Sequence, residues 1–217
     1  MKVAEVKKTK LKPAFPDLED ISASLDEIKE KFRIDTVNWE GYSYKPEVAF
    51  SVTYSDHEIF LKYYISESYF KAEKTESNEM VCEDSCVEFF VSPEDDGIYY
   101  NIEFNGIGTC LLGTGTAREN SRRAKPEVIS KIRRMTSVGK EPVGEKAGEF
   151  EWTITIAIPF KVFFHHKVSD LKGKTFRANF YKCGDMLTVP HYVTWNPVDT
   201  ENPDYHQPAH FGLLKFI

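Results

Sequence analysis

Trp152, Ile154, Ile156 and Ile158 alternate without interruption with Thr153, Thr155 and Ala157, and the run stops at Pro159. A period of two puts all four large apolar side chains on one face of an extended strand. The isoleucines suit a pleated surface, and proline cannot continue the ladder. The same rhythm recurs in Val48, Phe50, Val52 and Tyr54, and after the polar turn Ser55-Asp56-His57-Glu58 in Ile59, Leu61, Tyr63 and Ile65. That spacing predicts a hairpin. A second hairpin is predicted from Val87, Phe89 and Val91, the turn Pro93 to Gly97, and Ile98, Tyr100, Ile102 and Phe104. Its opposite face carries Glu88, Phe90, Tyr99, Asn101, Glu103 and Asn105, a mixture of polar and aromatic groups across a sheet whose other side is apolar.

Further strands are expected at Thr109 to Leu112, after a bulge permitted by Gly106 and Gly108, at Phe176 to Phe180, at Val193 to Trp195 and at Phe211 to Phe216. Ile21, Leu25, Ile28 and Phe32 recur at helical spacing, and Ser24 with Glu27 has the capping-box interval, so one short helix is expected there. Residues 117–148 break the strand rhythm with a basic cluster at Arg118, Arg122, Arg123, Lys131, Arg133 and Arg134, and read as a long connection plus one strand. No internal repeat is present. Roughly nine to eleven strands with one or two short helices predict an all-β fold. The expected architecture is an antiparallel two-sheet β-sandwich of immunoglobulin-like or jelly-roll type. It forms one domain over 1–217, with 1–38 as an N-terminal extension that packs its helix on the sandwich.

Composition narrows the function. With 28 Lys+Arg against 34 Asp+Glu the net charge is −6, a field that repels polyanions, so no nucleic-acid partner is expected. No segment approaches the ~18 apolar residues that span a bilayer, so no membrane partner is expected, and a monomer is. The N-terminus is basic without an apolar stretch behind it, which reads as cytoplasmic as it stands, or as secreted or periplasmic if a leader has been removed. Cys82, Cys86, Cys110 and Cys183 read as four buried thiols. In an extended strand Cys82 and Cys86 would lie about 13 Å apart, too far for a disulfide or a shared zinc. The 16 Phe, 11 Tyr and 3 Trp exceed what one core need hide, and some are expected to face a ligand. Trp152 and Trp195 are assigned to the core, and Trp39 is the exception to watch.

Cys82-Glu83-Asp84-Ser85-Cys86-Val87-Glu88-Phe89-Phe90 followed by Tyr99 to Asn105, Asn179 to Asp185, Thr194-Trp195, and His206-Gln207-Pro208-Ala209-His210-Phe211-Gly212 occur in that order. Together they resemble the family-9 carbohydrate-binding module and its family 9-like relatives, over about Trp39 to Ile217. The resemblance implies a β-sandwich of the DOMON type that binds sugars without cleaving them, usually beside a glycoside hydrolase. It also implies two aromatic rings sandwiching a terminal sugar, with carboxylate, amide and arginine groups on its hydroxyls. The carboxylate falls on Glu88, one clamp ring on Tyr205 and its neighbouring amide on Asn202. The other clamp ring falls on Cys82, and the arginine positions fall near Asn101 and Val189, so the clamp and both cationic donors depart from the family pattern. Lys182, Arg177 or the cluster Arg118 to Arg123 are the replacements to consider.

The expected sugar site is therefore Tyr205, Glu88, Asn101, Glu103, Asn202 and Lys182, with ring stacking on Tyr205 and hydrogen bonds from the rest. Two other readings stay open: a small glycoside hydrolase using Glu88 and a second acid such as Glu83, Asp84 or Glu103, and an interaction module that has lost sugar binding. Calcium, implied by relatives, would find oxygen ligands at Asp95-Asp96-Gly97 or at Asp199 with Asp204. Haem carriers of the wider superfamily draw attention to His165, His166, His206 and His210, but no Met/His axial pair is evident.

Overall fold

Fourteen strands and two short helices make up the chain in a computed structural model that describes residues 1–217. In chain order they are β1 (Val3–Val6), α1 (Leu18–Asp26), β2 (Phe32–Arg33), β3 (Thr36–Val37), β4 (Glu47–Tyr54) and β5 (Glu58–Ala72). Then follow β6 (Cys86–Ser92), β7 (Tyr99–Asn105), β8 (Cys110–Gly115), β9 (Arg122–Arg123), α2 (Pro126–Ile129) and β10 (Arg133–Thr136). The last four are β11 (Val143–Pro159), β12 (Thr175–Cys183), β13 (Tyr192–Thr194) and β14 (Gly212–Phe216). A nine-stranded sheet runs β1-β14-β12-β6-β7-β8-β9, with β13 attached to β12 and β3 to β13, and a five-stranded sheet runs β10-β11-β5-β4-β2. The two form a β-sandwich, as the alternation predicts.

The inward faces are those read from the period of two. Val87, Phe89 and Val91 of β6, Tyr100, Ile102 and Phe104 of β7, and Ala178 and Phe180 of β12 meet Phe50, Leu61, Tyr63, Ile154 and Ile156 of the other sheet in one continuous apolar core. Phe180 lies at its centre, 3.8 Å from Phe50 and 5.0 Å from Phe89 between ring centroids, stacked on both. Each such ring contributes about 1.5–3 kcal/mol by leaving water. Trp152 and Trp195 are buried in this core, whereas Trp39 packs in a separate cluster outside the larger sheet.

Three local expectations change. The helix begins at Leu18 and ends at Asp26, so Glu27 is its C-cap and the Ser24–Glu27 interval marks its end. Ile21 and Leu25 bury against Phe60 and Ala157, while Lys62 Nζ donates to Ser22 and Asp26, fixing the helix from its polar side. Phe32 belongs instead to β2, opposite Phe50. Second, the N-terminal extension is built into both sheets: β1 pairs parallel with β14, β2 pairs with β4 and β3 with β13. The otherwise antiparallel sandwich therefore has one parallel edge. Third, residues 117–148 hold two short strands, a helical turn and the start of the 17-residue β11.

Candidate functional site

Because β6, β7 and β12 bury their odd-numbered or even-numbered apolar residues inward, the intervening residues emerge together on the outer face of the larger sheet. Glu88 and Glu103 are direct register partners on β6 and β7, and Tyr181 faces Glu88 from β12. A single 3-10 turn at Val81–Glu83, the arm carrying Arg118 and Arg123, and the segments around Asp185 and Pro203 to His206 wall in this patch. The result is a cleft of about 430 Å³ with Glu88, Glu103 and Asp185 toward its floor, Arg118 and Arg123 on one wall, and Phe90, Tyr192, Tyr205 and His206 supplying rings. That volume lies in the range of ~300–1,000 Å³ usual for small-ligand sites.

The floor is strongly acidic and poorly compensated. Glu88 and Glu103 are 3% and 5% exposed, and no lysine or arginine forms a salt bridge with either. Glu88 Oε1 accepts from the Cys183 thiol at 3.1 Å, and Glu103 Oε1 accepts from Asn101 Nδ2 at 2.8 Å. Burial, with the charge of Glu103 beside it, holds the Glu88 carboxyl well above the usual range, and burial raises Glu103 as well. Asp185 is lifted by burial to about 6, and its Oδ1 is buried without a hydrogen-bond partner. Arg118 is held back from the floor by Asp204, at 2.6 Å through Nη2 and 3.1 Å through Nε. His206 is kept neutral, its pKa lowered to about 4 by burial and by Arg118, and its Nδ1 lies 2.6 Å from the Tyr99 hydroxyl.

Of the sequence-derived site, Glu88, Glu103 and Tyr205 are brought together in the cleft. Asn101 is wholly buried beneath it and orients Glu103, and Gly113 leaves it room, since a Cβ there would come 2.4 Å from its Oδ1. Asn202 is exposed and stands outside the cleft wall, its carbonyl accepting from the Thr200 hydroxyl. Lys182 points to the opposite side of its strand. It lies in register with the inward Val87, its Nζ is 2.8 Å from Glu67 Oε2, and it donates to His191 Nε2 at 2.8 Å. The alternation of β12 alone excludes it from the outer face. Tyr205 is only 6% exposed and stacks flat on Tyr181, 4.0 Å apart and 8° from parallel, so one of its two faces is already covered.

Cys82 is half-buried and Cys86, Cys110 and Cys183 are buried thiols. The distance argument for Cys82 fails because residues 81–83 turn instead of extending, and the ladder partner of Cys86 is Cys183. The oxygens of Asp204 accept from Arg118, Gln207 and the His206 amide, and Asp96 closes its turn on Ile98 and meets His166. Neither proposed calcium position gathers a third carboxylate. His165 and His166 lie at Tyr100, whose hydroxyl is 3.0 Å from His166 Nδ1, whereas His206 bonds Tyr99 on the opposite face of β7.

Much of the motif that carries the resemblance is structural. Asp84 Oδ2 accepts from the Glu73 and Lys74 amides and from Asn105 Nδ2, tying the end of β5 to β7. Asn179 Oδ1 accepts from the Asn196 amide, and a Cβ on Gly212 would meet Trp195 at 2.5 Å. A second cleft of about 510 Å³ on the smaller sheet is lined by Arg33, Glu47 and Glu151, all exposed, and holds no buried ionisable group. Arg118 and Arg123, named among the replacements for the missing arginines, line the cleft, whereas Asp185, Tyr192 and His206 are lining residues that sequence reasoning did not assign to the sugar site, although Asp185 and His206 stand inside the quoted motifs.

The family model described as Carbohydrate-binding family 9 matches residues 19–216. A candidate carbohydrate-binding protein of Bacteroides uniformis ATCC 8492, with a crystal structure at 2.70 Å resolution, is 42% identical over 100% of this chain and 99% of its own, with a TM-score of 0.95. A family 9 carbohydrate-binding module of Caldicellulosiruptor kristjanssonii in complex with glucose shares the fold at 11% identity and a TM-score of 0.60, covering 100% of this chain and 96% of that one. The same organism's module with cellotriose gives 10% identity and a TM-score of 0.58 over 99% and 93%. Among curated proteins, none matches this chain.

Proposed function

This chain belongs to carbohydrate-binding family 9, and from that premise we propose that its outer-face cleft binds the end of a neutral glycan. The observation that carries the reading is the opposed pair Glu88 and Glu103, buried and without a cationic partner at the floor of an open cleft. Carboxylates in that position accept hydrogen bonds from vicinal sugar hydroxyls, which replace the water that burial removes. Arg118 and Arg123 on the wall stand in for the arginines absent near Asn101 and Val189, and Asp204 fixes the first of them. The half-buried Tyr192, backed by the almost buried Tyr205, offers the apolar surface on which pyranose C–H groups pack. Tyr192 takes the place that Cys82 cannot fill. The relatives crystallised with glucose and with cellotriose support a gluco-configured ligand.

Acidity at the floor disfavours uronates, so affinity should be greatest for neutral sugars. Expected dissociation constants lie between millimolar and micromolar, about −4 to −8 kcal/mol. Titration calorimetry with glucose, cellobiose, cellotriose and glucuronate tests this. Saturable heat with the neutral ligands, little changed from cellobiose to cellotriose, supports an end-binding cleft. Affinity that keeps growing with chain length contradicts end binding, and release of reducing ends during the titration would replace binding by hydrolysis.

A further inference from the structure

We propose that Cys86, Cys183, Glu88 and Asp185 form a tetrahedral site for zinc or another thiophilic divalent cation at the floor of the cleft. The inference concerns the cleft described above but does not rest on sugar binding, because every donor it uses belongs to the protein. Cys86 and Cys183 stand opposite each other on β6 and β12, and Glu88 follows two residues along β6 on the same face. Their Sγ, Sγ and Oε1 atoms all lie within 4.8 Å of one another, the one such grouping in the molecule. The carboxylate oxygen is 3.1 Å from Cys183 Sγ and 4.0 Å from Cys86 Sγ. Zinc bonds of about 2.3 Å to sulfur and about 2.1 Å to oxygen require edges of about 3.6 Å between sulfur and oxygen in a tetrahedron. The observed pair of distances straddles that edge, so small side-chain rotations complete three corners.

The fourth corner has its own evidence. Asp185 lies just past the end of β12, two residues beyond Cys183, with its amide anchored on the Cys82 carbonyl at 2.8 Å. Its carboxylate stands outside the three-atom grouping and must swing in to take the fourth corner. Its Oδ1 is buried and has no hydrogen-bond partner. An unpartnered buried acceptor beside two thiols and a second carboxylate is a donor set waiting for a cation. On binding, two metal–sulfur and two metal–oxygen bonds form, each thiol and each protonated carboxyl ligand releases its proton to solvent, and no oxidation state changes. The rim arginines Arg118 and Arg123 offset the negative charge that remains on the four ligands.

The full chain, reduced with a phosphine and stripped with chelator, would be titrated with Co2+ and then Zn2+ in the absence of sugar. One equivalent of Co2+, a thiolate-to-cobalt charge-transfer band in the near ultraviolet and its displacement by Zn2+ are expected. Cys86→Ser and Cys183→Ser should abolish the band, Asp185→Asn should weaken cobalt affinity at least about tenfold, and Cys110→Ala should keep it, since Cys110 lies in the inner core. X-ray absorption on the zinc form of the unaltered chain should count two sulfurs, which guards against a variant that fails to fold. Folded, reduced protein without the band, or a band retained in both strand variants, overturns the site. Sugar titrations on the stripped protein separate the two readings: metal without sugar retires only the glycan site, and sugar without metal retires only the cation site.

Discussion

Two sets of buried carboxylates lie on opposite faces of the larger sheet, and they are solved differently. Between the sheets, Glu67 accepts from the Trp152 indole at 2.7 Å and lies 2.8 Å from Lys182, which also donates to the Cys183 carbonyl and to His191. His191 is held neutral, its pKa lowered to about 2 by burial and by Lys182, and its Nδ1 donates to the Val189 carbonyl. Charge there is matched within the fold. On the outer face Glu88, Glu103 and Asp185 line one cleft with a thiol and one amide for partners, and the Arg118 guanidinium is engaged by Asp204. A network closed on itself serves stability, whereas one left open toward a cleft is completed by something else.

The largest effect should come from breaking the closed network. Lys182→Met leaves Glu67 buried beside an indole with no cation, at a cost of about 3–5 kcal/mol in urea denaturation. Adding Glu67→Gln should recover part of that loss, and neither change should alter sugar affinity beyond what unfolding explains. On the outer face the same kind of change should behave in the opposite way. Glu88→Gln should weaken sugar binding by about 1.5–3 kcal/mol, the value of a hydrogen bond to a charged group, read by calorimetry. Its melting temperature should hold or rise, because burial disfavours the charged form of Glu88, which Gln cannot adopt.

The pH dependence sharpens the contrast further. A carboxyl whose folded pKa is raised binds its proton more tightly in the folded state than in the unfolded one. Glu88 and Glu103 therefore contribute stability that is complete below the ordinary glutamate value of 4.5 and is lost as pH rises from there through their raised folded pKa values. Urea midpoints measured across that window should fall with pH in the unaltered chain, and the slope should flatten in Glu88→Gln/Glu103→Gln. The smallest effect is expected from the rings: Tyr192→Ala should lose about 0.5–1.5 kcal/mol of sugar affinity beyond its buried area.

Strand periods were readable in this chain because one face of almost every strand is buried, which forces alternation in Val48 to Tyr54, Val87 to Val91 and Trp152 to Ile158. The outer pair Glu88 and Glu103 followed from the same alternation. What escaped was set by contacts between distant segments. β1 offers only Ala4 and Val6 to the core and forms because β14 is there to receive it. Arg123 and Asp185 reach the cleft from segments 62 residues apart, and no local spacing announces that. Lys182 was assigned to the site by motif, although counting residues from Phe180 already turns it inward. The motif spoke for the fold as much as for the site, since Asp84, Asn179 and Gly212 hold strands and loops together.

The central claim is that the outer carboxylates serve a sugar ligand and the inner ones serve the fold. Titrating cellobiose into the unaltered chain and into Glu103→Gln, side by side, tests it most directly. Saturable heat in the first, lost or weakened at least about tenfold in a second that melts no lower, is the predicted result. Equal affinity in the two proteins would contradict it.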